Sequence, residues 1–363
     1  MKSSLTYLLT ACYAAAVASQ PTGSSDKLGH ERSLIQVGES HIPIWMMEQE
    51  VLGLIRSKKT FMDITGNNLL PAMVYPTEPR QKAVVQEIHQ LLSPDSMRIF
   101  LTTFSSFPNR YCRSHYGVKS SDWLYNTVAE LIKNNRGTLN RRVPHRRISQ
   151  QSIVVRIEGQ GNLASEVVVV GAHQDSINQA NPYMGRSPGA DDDGSGSTTI
   201  FETLSALLRA QYQPARSLEF HWYAGEEIGL VGSQDIAQDY ANRNVNVRAM
   251  LQLDMTGFTD HSGNMGIVTD FVHPELTQFT RQLVHTYSNL TALDFQCGYA
   301  CSDHASWSKY GFPSAMPFES NEMELNPYIH SDKDTVETVD FDHMLQFAKI
   351  ATGFAVELTH TSE

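Results

Sequence analysis

Cysteine is scarce, with four in 363 residues. So small a set cannot staple a disulfide-rich mini-scaffold, and a chain of this length needs no staples because it can bury a large core. Long apolar runs are missing too. The one near the N-terminus, Leu5 to Val17, is well short of the roughly 20 residues that span a bilayer. Basic residues are outnumbered, 28 Lys and Arg against 39 Asp and Glu, giving a net charge of -11. Nucleic acid and anionic membranes would repel such a chain, so neither is expected as a partner. Internal repeats and low-complexity tracts are absent, which excludes solenoids and fibres. What remains, 41% hydrophobic and 18% charged residues, is the composition of an ordinary globular protein.

Lys2, the apolar stretch after it and Ala16-Val17-Ala18 together read as a secretory signal peptide over residues 1–18, and so predict an extracellular protein. Residues 19–78 change character and end among Pro71, Pro76 and Pro79. They are read as a propeptide with an approximate boundary, the alternative being a permanent N-terminal extension. Cys12 leaves with the signal, so an odd number of cysteines remains. Cys297 and Cys301 bracket Gly-Tyr-Ala closely enough to close a small disulfide loop, a reduced pair being the alternative. Cys112 is expected as a buried free thiol.

From Lys82 onward two helical stretches precede an α/β rhythm. Strands are predicted at Ser152 to Ile157, Val167 to Val170, Leu218 to Tyr223 and Met250 to Leu253. Helices are predicted at about Thr198 to Leu208, Pro274 to Tyr287 and Phe341 to Leu358. Four consecutive valines suit a central strand covered on both faces by helices.

Chemistry-bearing residues gather where these strands end: GAHQDS, YAGEE and LQLDMTG. In an open α/β sheet the carboxyl ends face one crevice, so His173, Glu226, Glu227 and Asp254 can meet although they are distant in sequence. Taken singly, such an Asp is usually a turn or cap residue; the joint occurrence points to a site. The loop SPGADDDGSGSTT projects three carboxylates from a tightly bending backbone. It nearly matches an EF-hand calcium loop, but the preceding NPYMGRSPGA cannot be an entering helix. A bridging carboxylate explains it better. His330, in NPYIHSDKDT, then supplies a second imidazole. Two zinc ions against Asp192, Glu227 and Asp254 leave one net positive charge, which a hydroxide can neutralise.

In this combination the motifs resemble the secreted dizinc leucyl aminopeptidases of bacteria and fungi, and the fungal members more closely. The resemblance runs from about Ser105 to the C-terminal helix through GAHQDS, PGADDDGSG, YAGEEIGLVGSQD, LQLDMTG, CGYACSDHASW, AMPFES and NPYIHS. FMDIT looks like part of the fungal propeptide. The family fold that this implies is a three-layer α/β/α sandwich around a mixed, mostly parallel sheet, with residues 79–363 as the zinc aminopeptidase catalytic domain.

The resemblance implies that His173 and Asp254 hold one zinc, Glu227 and His330 the other, with Asp192 as the bridge. Glu226 becomes the general base of a metal-assisted hydrolysis, and Asp175 orients His173. Met255, Tyr299, Met316, Phe318 and Ile329 would surround an apolar first residue of a peptide with a free N-terminus, the Cys297–Cys301 loop stiffening one wall. Plain core packing is the competing explanation for those five. The stretch Glu322, Met323, Glu324 and Leu325 departs from the leucine-preferring bacterial pattern, which carries aromatics there.

Rival readings are a dizinc carboxypeptidase or a single-zinc glutaminyl cyclase of the same fold, and a non-catalytic binding ectodomain. The full donor set and CGYACSDHASW weigh against all three. Asn289-Leu290-Thr291 is a glycosylation acceptor expected in a surface loop. The protein is expected to act as a monomer, with its own propeptide as a further partner.

Overall fold

A computed structural model describes residues 32–36, 44–47, 50–51, 53–54, 62–63, 74–322 and 326–360. Strands β1 (Arg32–Gln36), β2 (Ile44–Met47) and β3 (Met62–Asp63) form a small antiparallel sheet of their own, in the order β2-β1-β3. The signal segment expected over residues 1–18 lies outside the described residues.

Three helices follow: α1 (Lys82–His89), α2 (Pro94–Phe104) and α3 (His115–Ile132). Sequence chemistry sets their starts. Ser93 precedes a proline at the first helical position and its hydroxyl accepts the Ser96 N–H; the Ser114 hydroxyl does the same for Gly117.

The main sheet then builds from β4 (Thr138–Val143), β5 (Ser152–Ile157), β6 (Glu166–His173), β7 (Ser217–Tyr223) and β8 (Asn246–Gln252). Two-residue β11 (Ser314–Ala315) completes the order β11-β8-β6-β7-β5-β4. The pairs β11–β8, β8–β6 and β6–β7 are parallel, whereas β7–β5 and β5–β4 are antiparallel. The sheet is mixed, as expected.

Alternation along β6 shows why helices must cover both faces. Val168 and Val170 join one core cluster with α1, α2, α3, α4 (Gly194–Arg209) and the long C-terminal helix. Val167 and Val169 join the opposite cluster with Ile236, Ala237 and Tyr240 of α5 (Val231–Asn242). A four-valine strand with neither face exposed is thereby accounted for, and the architecture is a three-layer α/β/α sandwich.

A third sheet, of three strands, was not foreseen. It comprises β9 (Asn264–Val268), β10 (Thr291–Phe295) and β12 (Pro317–Phe318) in the order β10-β9-β12. Helix α6 (Pro274–Tyr287) links β9 to β10, short α7 (His304–Lys309) precedes β11, and α8 (Phe341–Thr359) closes the main core. None of these helices is long and apolar enough to cross a membrane.

Candidate metal centre

The adjacent strands β6, β7 and β8 deliver the site at their carboxyl ends. His173 is the last residue of β6, Glu226 and Glu227 start a 3-10 turn just after β7, and Asp254 lies two residues past β8. Asp192 comes from the loop entering α4, and His330 from the long connection between β12 and α8. No helix lies between His173 and Gly194, so the EF-hand reading of the DDDGSG loop fails on its missing entering helix.

These side chains converge. His173 Nε2 lies 3.1 Å from Asp192 Oδ1 and 3.4 Å from Asp254 Oδ1, with Glu226 Oε2 at 4.0 Å. His330 Nε2 lies 2.9 Å from Asp192 Oδ2 and 3.1 Å from Glu227 Oε2. The result is two donor groups, His173–Asp192–Asp254 and Asp192–Glu227–His330, joined at Asp192, which turns one oxygen to each.

Hydrogen bonding alone does not explain the arrangement. A single imidazole nitrogen carries one hydrogen and can serve one acceptor well, yet three carboxylates crowd His173 Nε2. Asp254 Oδ1 and Glu227 Oε1 are buried without any hydrogen-bond donor. Imidazole and carboxylate donors in this density match the ligand chemistry of zinc.

The electrostatics carry the same mark. Burial pushes the Glu226 carboxyl well above the usual range, with Asp254 and Asp303 adding to the shift. Burial and the Asp192 charge push Glu227 up to about 7. Burial alone would depress both imidazoles, but the facing carboxylates outweigh it: His173 is held well above its ordinary value and His330 is pushed up to about 11. Two imidazoles are left to balance a surplus of anions.

Asp175 stands close to two residues of the site. Its Oδ1 lies 3.6 Å from His173 Nδ1 and accepts the Glu226 backbone N–H at 3.1 Å. The apolar residues singled out from the sequence also come together. Met255, Tyr299, Met316, Phe318 and Ile329 line a cavity of about 350 Å³ that also contains Asp192, Glu226, Glu227, Asp254 and His330. A larger depression, about 700 Å³, lies by Arg98, Phe258 and Asp340 and holds none of the convergent donors.

Cys297 and Cys301 are disulfide-bonded, and Cys112 is free and buried, both as expected. The Cys297 and Gly298 N–H groups donate to Asp270, anchoring this loop beside the cavity. Of the departing stretch, Met323, Glu324 and Leu325 lie outside the described residues. Asn289 is exposed in the bend between α6 and β10.

Several supporting residues escaped the sequence reading. Gln179 places its side-chain amide 2.7 Å from His330 Nδ1. Asp334 accepts the backbone N–H groups of both Asp191 and Asp192. Asp193 accepts from His173, Gly196 and Met255, binding three segments of the site together. Buried Asp303, pushed up to about 7 chiefly by burial, accepts from Gln252. Only Asp193 left a signal, its position at the mouth of a helix.

The model of peptidase family M28 matches residues 152–355. The chain belongs to peptidase family M28. It is 42% identical to leucine aminopeptidase 1 of Arthroderma otae, over 90% of this chain and 92% of that one. With leucine aminopeptidase 1 of Arthroderma gypseum it shares 41% identity, covering 97% and 99%. Among solved structures, the LapA aminopeptidase of Legionella pneumophila superposes with a TM-score of 0.75 at 28% identity, over 92% of this chain and 95% of that one. A Bacteroides thetaiotaomicron glutaminyl cyclase superposes at 0.59 with 15% identity, a likeness of fold alone.

Proposed function

We propose that this M28 protein is a secreted zinc aminopeptidase that removes N-terminal residues, apolar ones such as leucine among them, from peptides. The observation that carries the reading is the pair of donor groups sharing Asp192 beside an apolar cavity. The fungal relatives named leucine aminopeptidase 1 support it. His173 and Asp254 would hold one zinc, Glu227 and His330 the other, and Asp192 both. Zinc at such a site supplies Lewis acidity and makes nearby water a stronger acid.

The chain's own residues do the rest. Glu226 is within 4.0 Å of His173 but outside both donor groups, so its carboxylate is free to take a proton from attacking water and hand it to the leaving amine. Its raised pKa suits that return step. Asp175 holds the Glu226 backbone and the His173 ring in one arrangement. Met255, Tyr299, Met316, Phe318 and Ile329 receive the side chain of the first residue and exclude water from it.

We further propose that residues 1–18 are removed as a signal, that 19–78 act as a propeptide on the domain 79–363, that Asn289 carries a glycan, and that the mature enzyme is a monomer. The test is zinc content measured alongside hydrolysis of amino-acid anilides. Two zinc ions per chain and a preference for apolar residues are expected. Glu226→Gln should keep the metal while kcat falls by roughly 10²–10⁴-fold. A near-normal kcat in that variant removes Glu226 from the role.

A further inference from the structure

Away from the donor groups, an aspartate, a histidine and a serine stand in the order that hydrolases use for nucleophilic catalysis. Asp235 Oδ2 lies 2.8 Å from His145 Nδ1, and His145 Nε2 lies 2.7 Å from Ser152 Oγ. The three come from α5, from the β4–β5 connection and from the first residue of β5.

Nucleophile and strut can be told apart chemically. A nucleophilic serine must meet a substrate, and Ser152 has no exposed surface. Its Oγ already accepts the backbone N–H of Ala224 at 2.9 Å. A Cβ added to Gly232 would sit 2.7 Å from the same Oγ, so the first turn of α5 closes the approach. No carbonyl carbon can reach this oxygen.

What the three residues do hold is Ala224, two positions before Glu226 and three before Glu227. The direction of the relay follows by elimination. A backbone N–H only donates, so Ser152 Oγ accepts from Ala224. The Asp235 carboxylate only accepts, so Nδ1 carries the ring hydrogen and donates it there. In the neutral ring Nε2 then presents a lone pair, and the Ser152 hydroxyl donates to it. The Ala224 carbonyl is held as well, accepting the Gly232 N–H at 2.9 Å. Both polar backbone atoms of this one residue are thus fixed. Burial lowers the His145 pKa against the opposing pull of Asp235, which keeps the ring in the neutral form that the relay requires.

We propose that Asp235, His145 and Ser152 are positioning residues, a relay that fixes the backbone ahead of Glu226 and Glu227 and so aims both carboxylates into the cleft. The proposal rests on the roles given to those two glutamates above.

The full chain is compared with Ser152→Ala, Asp235→Ala and Asp235→Asn for zinc content, kcat and KM on a leucine anilide. Amide hydrogen exchange at Ala224 and the nitrogen NMR shifts of the His145 ring are read in parallel. Ser152→Ala should lose about tenfold in kcat with KM nearly unchanged, the size expected for one buried hydrogen bond, while the Ala224 amide exchanges faster. Asp235→Ala should lose several-fold, and Asp235→Asn should restore kcat because its side-chain oxygen still accepts from Nδ1. Asp235 is 42% exposed, so this pair carries the test should Ser152→Ala fail to fold. Equal kcat in Asp235→Ala and Asp235→Asn, or unchanged exchange at Ala224 in Ser152→Ala, overturns the relay. A wild-type protein that cleaves no anilide counts against the aminopeptidase reading alone, because exchange at Ala224 and the ring tautomer decide the relay without turnover.

Discussion

His330 can bind a metal through Nε2 only if Nε2 bears no hydrogen, and its neighbour decides that. Gln179 Nε2 lies 2.7 Å from Nδ1, and metal binding through Nε2 requires the flipped amide, whose oxygen accepts the Nδ1 hydrogen and leaves the other nitrogen free to face Asp192 and Glu227. Gln179→Leu removes the orienting partner, and zinc affinity at that donor group should fall by roughly 10–100-fold, measured by competition with a chelator. An unchanged affinity would remove Gln179 from the site. Nothing in the sequence marked this residue, because an exposed glutamine in a loop is ordinary. His173, Glu226, Glu227 and Asp254 were legible for the opposite reason: placed at several strand ends together, they have few other uses, whereas Asp192 and His330 lie in loops and were legible only beside them.

Elements were readable where their periodicity was strong. The predicted bounds of β5 and α6 match those observed, while β8 begins at Asn246 rather than at Met250 because exposed or half-buried Asn246 and Arg248 interrupt the apolar run. Helix α4 begins at Gly194, ahead of the predicted Thr198, and its glycines explain the discrepancy. They look like loop residues but serve close packing: a Cβ on Gly196 would lie 2.2 Å from the Leu253 carbonyl oxygen and 2.4 Å from the Asp193 carboxylate. Gly196→Ala should therefore push α4 away from the end of β8, costing about 1–3 kcal/mol in urea unfolding and weakening zinc binding through Asp254. A variant of wild-type stability would mean that the helix has room to shift. The sheet of β9, β10 and β12 went unread because burial does not alternate along β9 or β10 and β12 has only two residues.

Within the whole molecule, buried His304 is one group that acid unsettles. His304 is fully buried, and burial lowers its pKa from 6.5 to about 4. A folded-state pKa below the unfolded value gives stability that is complete above about 6.5 and is lost as pH falls through about 4, some 3 kcal/mol for this group alone. His304→Phe should flatten that slope, and urea titrations of both proteins with chelator present, at pH 7 and below pH 4, would measure it. Parallel slopes would show that His304 does not carry the acid sensitivity.

Chain order adds a temporal dimension. His173, Asp192, Glu227 and Asp254 are all translated well before His330, which emerges only after β12, and α8 seals the core later still. A nascent polypeptide paused between Asp254 and that imidazole owns one donor group and a fragment of the other. The second donor group is therefore completed only when synthesis is nearly done, and the zinc ion proposed for it can be held only then.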